Sequence, residues 1–131
     1  MTRQTFGHEA RYCRKAGAEV IAMEVGKETR RVKVEDVLGR RVFFPLSGVY
    51  IIRNGDAIVY VGCSHQPLLV RLRNARYLRA LWTQDPQSQE FTVSMIGGRH
   101  RLDEDEALES KLIEEHLPIY NKKRKKSLQT R

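Results

Sequence analysis

The sequence predicts an α+β domain: a small central antiparallel three-stranded sheet flanked by helices, in the order β-β-α-β-α, preceded by an N-terminal extension. Three observations predict it. Two short runs rich in Val, Ile and Tyr flank Asn54-Gly55-Asp56, the pattern of a hairpin. Two longer segments carry apolar residues at helical spacing. A third β-branched run lies between those segments and ends at Gly97-Gly98.

Taken in order, residues 8–16 read as a short helix ending at Gly17. AEVIAMEV (18–25) and RRVKVEDV (30–37) read as two strands joined through Gly26-Lys27-Glu28-Thr29. Pro45 and Ser47-Gly48 mark a boundary, so residues 1–46 form the extension. Residues 49–53 and 58–62 are the hairpin strands. Ser64 suits a helix cap and Pro67 a first turn, which predicts a helix over 67–83 that stops before Asp85-Pro86. Residues 91–96 form the third strand. Asp103 opens a second helix that runs to about Leu117 and is stopped by Pro118; its early acidic residues suit a helix N-terminus.

The chain has 131 residues and a net charge of +8, which fits one compact domain. Six of the positive charges lie in the basic tail 122–131, KKRKKSLQTR, which holds no acid. Such a footprint points to a polyanion, most simply nucleic acid, although a terminal basic run can equally be a solvated end. The two cysteines, Cys13 and Cys63, have no paired spacing. Neither a disulfide framework nor a zinc site is expected, which favours a reduced compartment. There is no apolar run of about eighteen residues and no apolar signal region. The expectation is a cytoplasmic protein with no membrane partner.

Two charges sit in the wrong place for plain amphipathic helices. At about 100° per residue, Leu68, Leu72, Ala75, Leu78 and Trp82 fall in one stripe, and Arg71 falls inside it. Arg73 and Tyr77 fall outside. On the second helix Leu108, Leu112, Ile113 and His116 define the stripe, and Glu109 lies among them. A guanidinium near a buried face needs a partner, an anionic ligand, or a stem long enough to snorkel. A carboxylate among apolar neighbours is costly unless paired or bound to a cation. A structural salt bridge between Arg71 and Glu109 would satisfy both.

The hairpin leaves two registers open. A three-residue loop Asn54-Gly55-Asp56 would set Tyr50 opposite Tyr60, with both phenols on one face. A two-residue Asn-Gly turn would put them on opposite faces, and Asn-Gly favours such turns. Each tyrosine can also be an ordinary strand aromatic.

These residues, in this order, resemble the GIY-YIG nuclease family. Gly48-Val49-Tyr50 matches its first signature and Tyr60-Val61-Gly62 its second. Arg71 in LLVRLRNA matches the helix arginine, Glu109 in LESKLIEEHLPIYN the acidic residue, and Asn121 the closing asparagine. The match spans residues 48–121, which assigns residues 47–121 to a nuclease domain. It selects the same two charges that helical geometry marks as misplaced. Valine replaces isoleucine in both signatures, and Cys63 stands where many members carry lysine. Residues 1–46 have no recognised counterpart.

The resemblance implies a metal-dependent endonuclease that hydrolyses DNA phosphodiester bonds. It implies one divalent ion, Mg²⁺ or Mn²⁺, with Glu109 as its single protein ligand and waters and phosphate oxygens filling the shell. Arg71 would hold the scissile phosphate in a planar fork. Tyr50 and Tyr60 would hold the attacking water, one of them as general base, with a slight preference for Tyr60. A phenol of pKa ~10 needs a nearby cation for that task. Asn121 would tie the site together, and Gly48 and Gly62 would be structural glycines, Gly62 letting the backbone turn tightly out of the strand. His65 is nearby and would either assist or face water as a loop histidine. Arg73, Arg76 and Arg79, with Lys122, Lys123, Arg124, Lys125 and Lys126, would grip DNA phosphates. Duplex or branched DNA is the expected partner, and a homodimer is one expected assembly. The alternative is a nucleic-acid-binding module on the same fold whose catalysis is lost.

Overall fold

The computed structural model describes residues 17–74, 90–99 and 101–121. The helix expected over 8–16, the rest of the helix expected over 67–83, Arg76, Arg79, Trp82 and the basic tail lie outside them. The elements in chain order are β1 (Glu19–Val20), β2 (Val32–Lys33), α1 (Val34–Leu38), β3 (Val42–Phe43), β4 (Gly48–Asn54), β5 (Ala57–Ser64), α2 (Leu68–Asn74), β6 (Thr92–Gly97) and α3 (Leu102–His116). A 3₁₀ turn follows at Ile119–Asn121.

The three long strands are the expected ones, and they pair antiparallel. The sheet order is β2-β6-β4-β5, and β1 and β3 form a separate parallel pair. The N-terminal residues thus add a short fourth strand beside β6. The chain before it follows the same edge: Thr29 N donates to Met95 O at 2.8 Å and Gly26 N to Gly97 O at 2.8 Å.

The hairpin expected between 18–25 and 30–37 does not form. Residues 34–38 are helical because Val34 and Val37, one turn apart, both reach the core; burial on one helical face outweighs their β propensity. That core is shared. Ile21, Val32, Val34, Val37 and Phe43 join Tyr50, Ile52, Tyr60, Leu68, Leu69 and Leu72 in one cluster. On the other face of the sheet, Val49 and Val61 pack against Ile113 of α3. Helix α2 therefore covers one face and α3 the other. Each fully buried aliphatic contributes about 1.5–3 kcal/mol.

Neither expected hairpin register occurs. The loop is the two-residue Gly55-Asp56, with Asn54 opposite Ala57. Gly55 has φ +64° at the first central position, which a type II′ turn reserves for glycine. Arg53 then opposes Ile58 but Ile52 opposes Tyr60. Val59 is the extra residue of a β-bulge. An unbroken ladder from this turn would send Tyr60 to the face opposite Tyr50. The bulge returns it to the same face, diagonal to Tyr50, with ring centroids 6.0 Å apart.

A polar cluster fastens the N-terminal segment to the sheet. Arg53 Nη1 donates to Glu28 Oε2 at 2.7 Å and to Ser94 Oγ at 3.2 Å, and Ser94 Oγ donates to the same carboxylate. Burial pushes the Glu28 carboxyl up. The hydrogen bonds from Arg53 and Ser94 and the charges of Arg53 and Arg31 outweigh it, and the pKa lies below the ordinary glutamate value. The ionised carboxylate therefore favours the folded state. That stability is fully present above the pKa of the unfolded chain and is lost as pH falls through the lower folded value. Urea unfolding at stepped acidic pH should show Glu28→Gln losing less stability than wild type over this window; parallel curves would remove Glu28 from the account.

Candidate functional site

Chain direction builds the site. Strand β5 ends at Ser64, and Ser64 Oγ turns back to Gln66 O at 2.6 Å, so this residue shapes the exit from the strand rather than capping α2. The chain then enters α2 at Leu68, and Arg71 N donates to Pro67 O at 3.2 Å. Helices α2 and α3, on opposite faces of the sheet, both contribute residues near the end of β5. There Cys63, His65 and Gln66, Arg71 of α2, and Leu102, Glu106 and Glu109 of α3 line a cleft of about 270 Å³.

The two charges singled out by helical spacing thus line one cleft. Arg71 is half-buried. Glu109 is fully buried, and Cys63 Sγ donates to its Oε1 at 3.6 Å. Asp105 is a residue the spacing argument overlooked. It lies four positions before Glu109, so Asp105, Glu109 and Ile113 form a single row, and these three are the buried residues of α3. The same periodicity puts Asp105 in the apolar stripe. Its place in the first turn explained it too easily as a helix-end acid. His116, expected in the stripe, is exposed at the end of the helix. The carboxylate of Asp105 meets His65, with Oδ2 3.2 Å from Nε2.

The phenols occupy a different place. Tyr50 and Tyr60 are 0% and 2% exposed, on the α2 side of the sheet, and neither is among the described residues that line the cleft. Tyr50 lies across Gly62, its cross-strand neighbour. A Cβ on Gly62 would lie 2.5 Å from Tyr50 Cζ and 2.6 Å from its hydroxyl. Gly62 is within β5, so it makes room for this ring rather than turning the chain out of the strand. Gly62→Ala should destabilise the fold by about 1–3 kcal/mol through overpacking, read as a lower urea midpoint at unchanged m-value. An unshifted midpoint would mean that the ring can leave. Gly48 is equally constrained: it has φ +154°, and a Cβ there would lie 2.1 Å from Ile96 O.

Asn121 is 2% exposed and grips the centre of the second signature. Val61 N donates to its Oδ1 at 2.9 Å and its Nδ2 donates to Val61 O at 3.1 Å. The amide imitates a neighbouring strand and holds the last turn on the edge of β5. Arg73 is exposed on α2. Arg101 is exposed and lies 3.7 Å from Asp103 and 3.6 Å from Glu104.

No three His, Cys, Asp or Glu side chains among the described residues gather as a ready ligand set. Glu109 instead offers one oxygen anchor at an open cleft. That fits a hard divalent ion that keeps most of its water and borrows oxygens from a phosphate substrate. Among the described residues, no helix is long and apolar enough to cross a membrane.

No protein-family model and no curated protein matches the chain. Among solved structures, it is similar to the GIY-YIG N-terminal endonuclease domain of UvrC from Thermotoga maritima. One tyrosine-to-phenylalanine variant of that domain, bound to its catalytic divalent cation, is 25% identical with a TM-score of 0.41, over 58% of this chain and 82% of that one. A second such variant is 23% identical with the same TM-score and coverage. An asparagine-to-alanine variant is 24% identical with a TM-score of 0.40, over 57% and 81%.

Proposed function

We propose that the protein is a metal-dependent endonuclease that hydrolyses DNA phosphodiester bonds at the cleft between α2 and α3. One observation carries the reading: Arg71 and the fully buried Glu109, on separate helices, line the same cleft. The ordered signatures from Gly48 to Asn121 support it from the sequence side.

In this reading Glu109 anchors one Mg²⁺ or Mn²⁺ ion, which when bound polarises the phosphate and neutralises developing charge. Arg71 holds the scissile phosphate through two parallel N–H donors, which fixes its orientation for in-line attack. Tyr50 and Tyr60 hold the attacking water in this reading, one of them as general base, from a buried position outside the cleft lining; the Tyr50 hydroxyl lies against Gly62, one residue from Cys63 in the cleft. Asn121 keeps β5 and the last turn together. Arg73, with Arg76, Arg79 and the tail Lys122 to Lys126, contacts DNA phosphates without reading sequence.

The burial of both phenols favours a second reading, a nucleic-acid-binding module without catalysis. Incubation of the purified chain with supercoiled plasmid, with and without Mg²⁺ or Mn²⁺, separates the two. Nicked or linear product that depends on the ion is the expected result. Retained DNA binding with no product under any ion would establish the second reading.

A further inference from the structure

We infer that His65 is the proton donor to the leaving oxygen and that Asp105 is its positioning residue, an inference that rests on the nuclease reading above. Of the charged or titratable residues that line the cleft, Glu106 and Glu109 belong to α3, Arg71 to α2 and Cys63 to β5. His65 stands at the turn between β5 and α2 and lines the cleft with them. Its side chain is 28% exposed, whereas that of Asp105 is 6% exposed. A carboxylate that deep is costly without a partner, and the helix N-terminus is already served by the exposed Asp103 and Glu104. The position of Asp105 is also fixed by shape. Gly98 backs directly onto it, and a Cβ there would lie 2.5 Å from Oδ1 and 2.8 Å from Oδ2. The buried carboxylate lies within ion-pair range of Nε2, at 3.2 Å; in this proposal its charge favours a proton on Nε2 and leaves Nδ1 as the nitrogen that carries the mobile proton.

The oxygen of water attacks phosphorus and forms one P–O bond as the bond to the leaving deoxyribose oxygen breaks. The electron pair of the broken bond stays on that oxygen, which takes the Nδ1 proton of the imidazolium. The imidazole keeps its Nε2 proton towards Asp105 and regains a proton from solvent before the next turnover. The proton of the attacking water passes to the tyrosine base and from it to solvent.

The test compares two substrates. On ordinary duplex DNA, His65→Gln should lower kcat by about 10²–10³-fold, in the range of a lost general acid. It should also abolish the fall in kcat at alkaline pH. On a duplex whose cut link carries a bridging sulfur, the leaving group needs no proton, and the same variant should cleave at close to the wild-type rate. Asp105→Asn should lower kcat by about 10–100-fold, the usual cost of losing a partner that orients a working side chain, with KM unchanged and the alkaline limb displaced. An equal loss on both substrates would overturn the acid assignment. A wild type that cuts neither substrate would overturn the nuclease reading, and the proton-donor role with it. Histidine ¹⁵N shifts then still decide the pair: an unchanged His65 signal in Asp105→Asn would show that the carboxylate does not orient the ring.

Discussion

Glu109→Gln is expected to abolish ion-dependent cleavage, by about three orders of magnitude in kcat, while DNA binding persists. The size follows from removing the single carboxylate anchor of an ion worth several kcal/mol of transition-state stabilisation, at about 1.4 kcal/mol per tenfold. Glutamine keeps the volume of a side chain that is 0% exposed and retains an oxygen for the Cys63 thiol, so packing changes little. Two measurements are needed together: plasmid nicking at saturating Mg²⁺, and the thermal midpoint. Lost cleavage with a midpoint within a few degrees of wild type is the expected pair. If Glu109 serves only as a structural partner for Arg71, breaking the pair should instead cost about 3–5 kcal/mol. A collapse of the midpoint would then appear. Wild-type cleavage by the variant would end the metal-anchor assignment.

Arg71→Ala comes next, with an expected loss of about 10²–10³-fold in kcat, the usual cost of one preorganised donor to a developing charge. Arg71→Lys should recover little. An ammonium is a point charge and cannot present two parallel N–H groups to a phosphate. The residue is half-buried beside the cleft, so alanine also removes an alkyl stem that covers apolar surface. The lysine variant separates the two effects, because it restores most of the stem but not the fork. Lysine at near wild-type rate would reduce Arg71 to charge and packing alone.

Much of this arrangement is legible in the sequence. The period-two runs around Asn54-Gly55-Asp56 gave the hairpin, and period-3.6 spacing gave α3 and the described start of α2. Two charges that spoil those helical stripes, Arg71 and Glu109, proved to share a cleft. What escaped has physical reasons. Strands of two residues, such as β2, are too short to carry a period, and Val34 and Val37 serve a helical turn as well as they serve a strand. Nothing in Ile58-Val59-Tyr60 marks Val59 as the extra residue, because the bulge is decided by what both strands bury. Asp105 had a sufficient local explanation, the helix end, which hid a tertiary one. The burial of the phenols depends on which sheet face each helix covers, and side-chain alternation alone is silent on that.

Asn121 has a consequence for how copies of the chain can meet. Strand β5 forms one rim of the sheet, and a bare rim is a template for another molecule's strand. The amide of Asn121 already occupies both backbone groups of Val61, in the middle of that rim. A second chain could extend the ladder there only by prising away the final turn. Strand addition at this point of the edge therefore competes with the chain's own final turn.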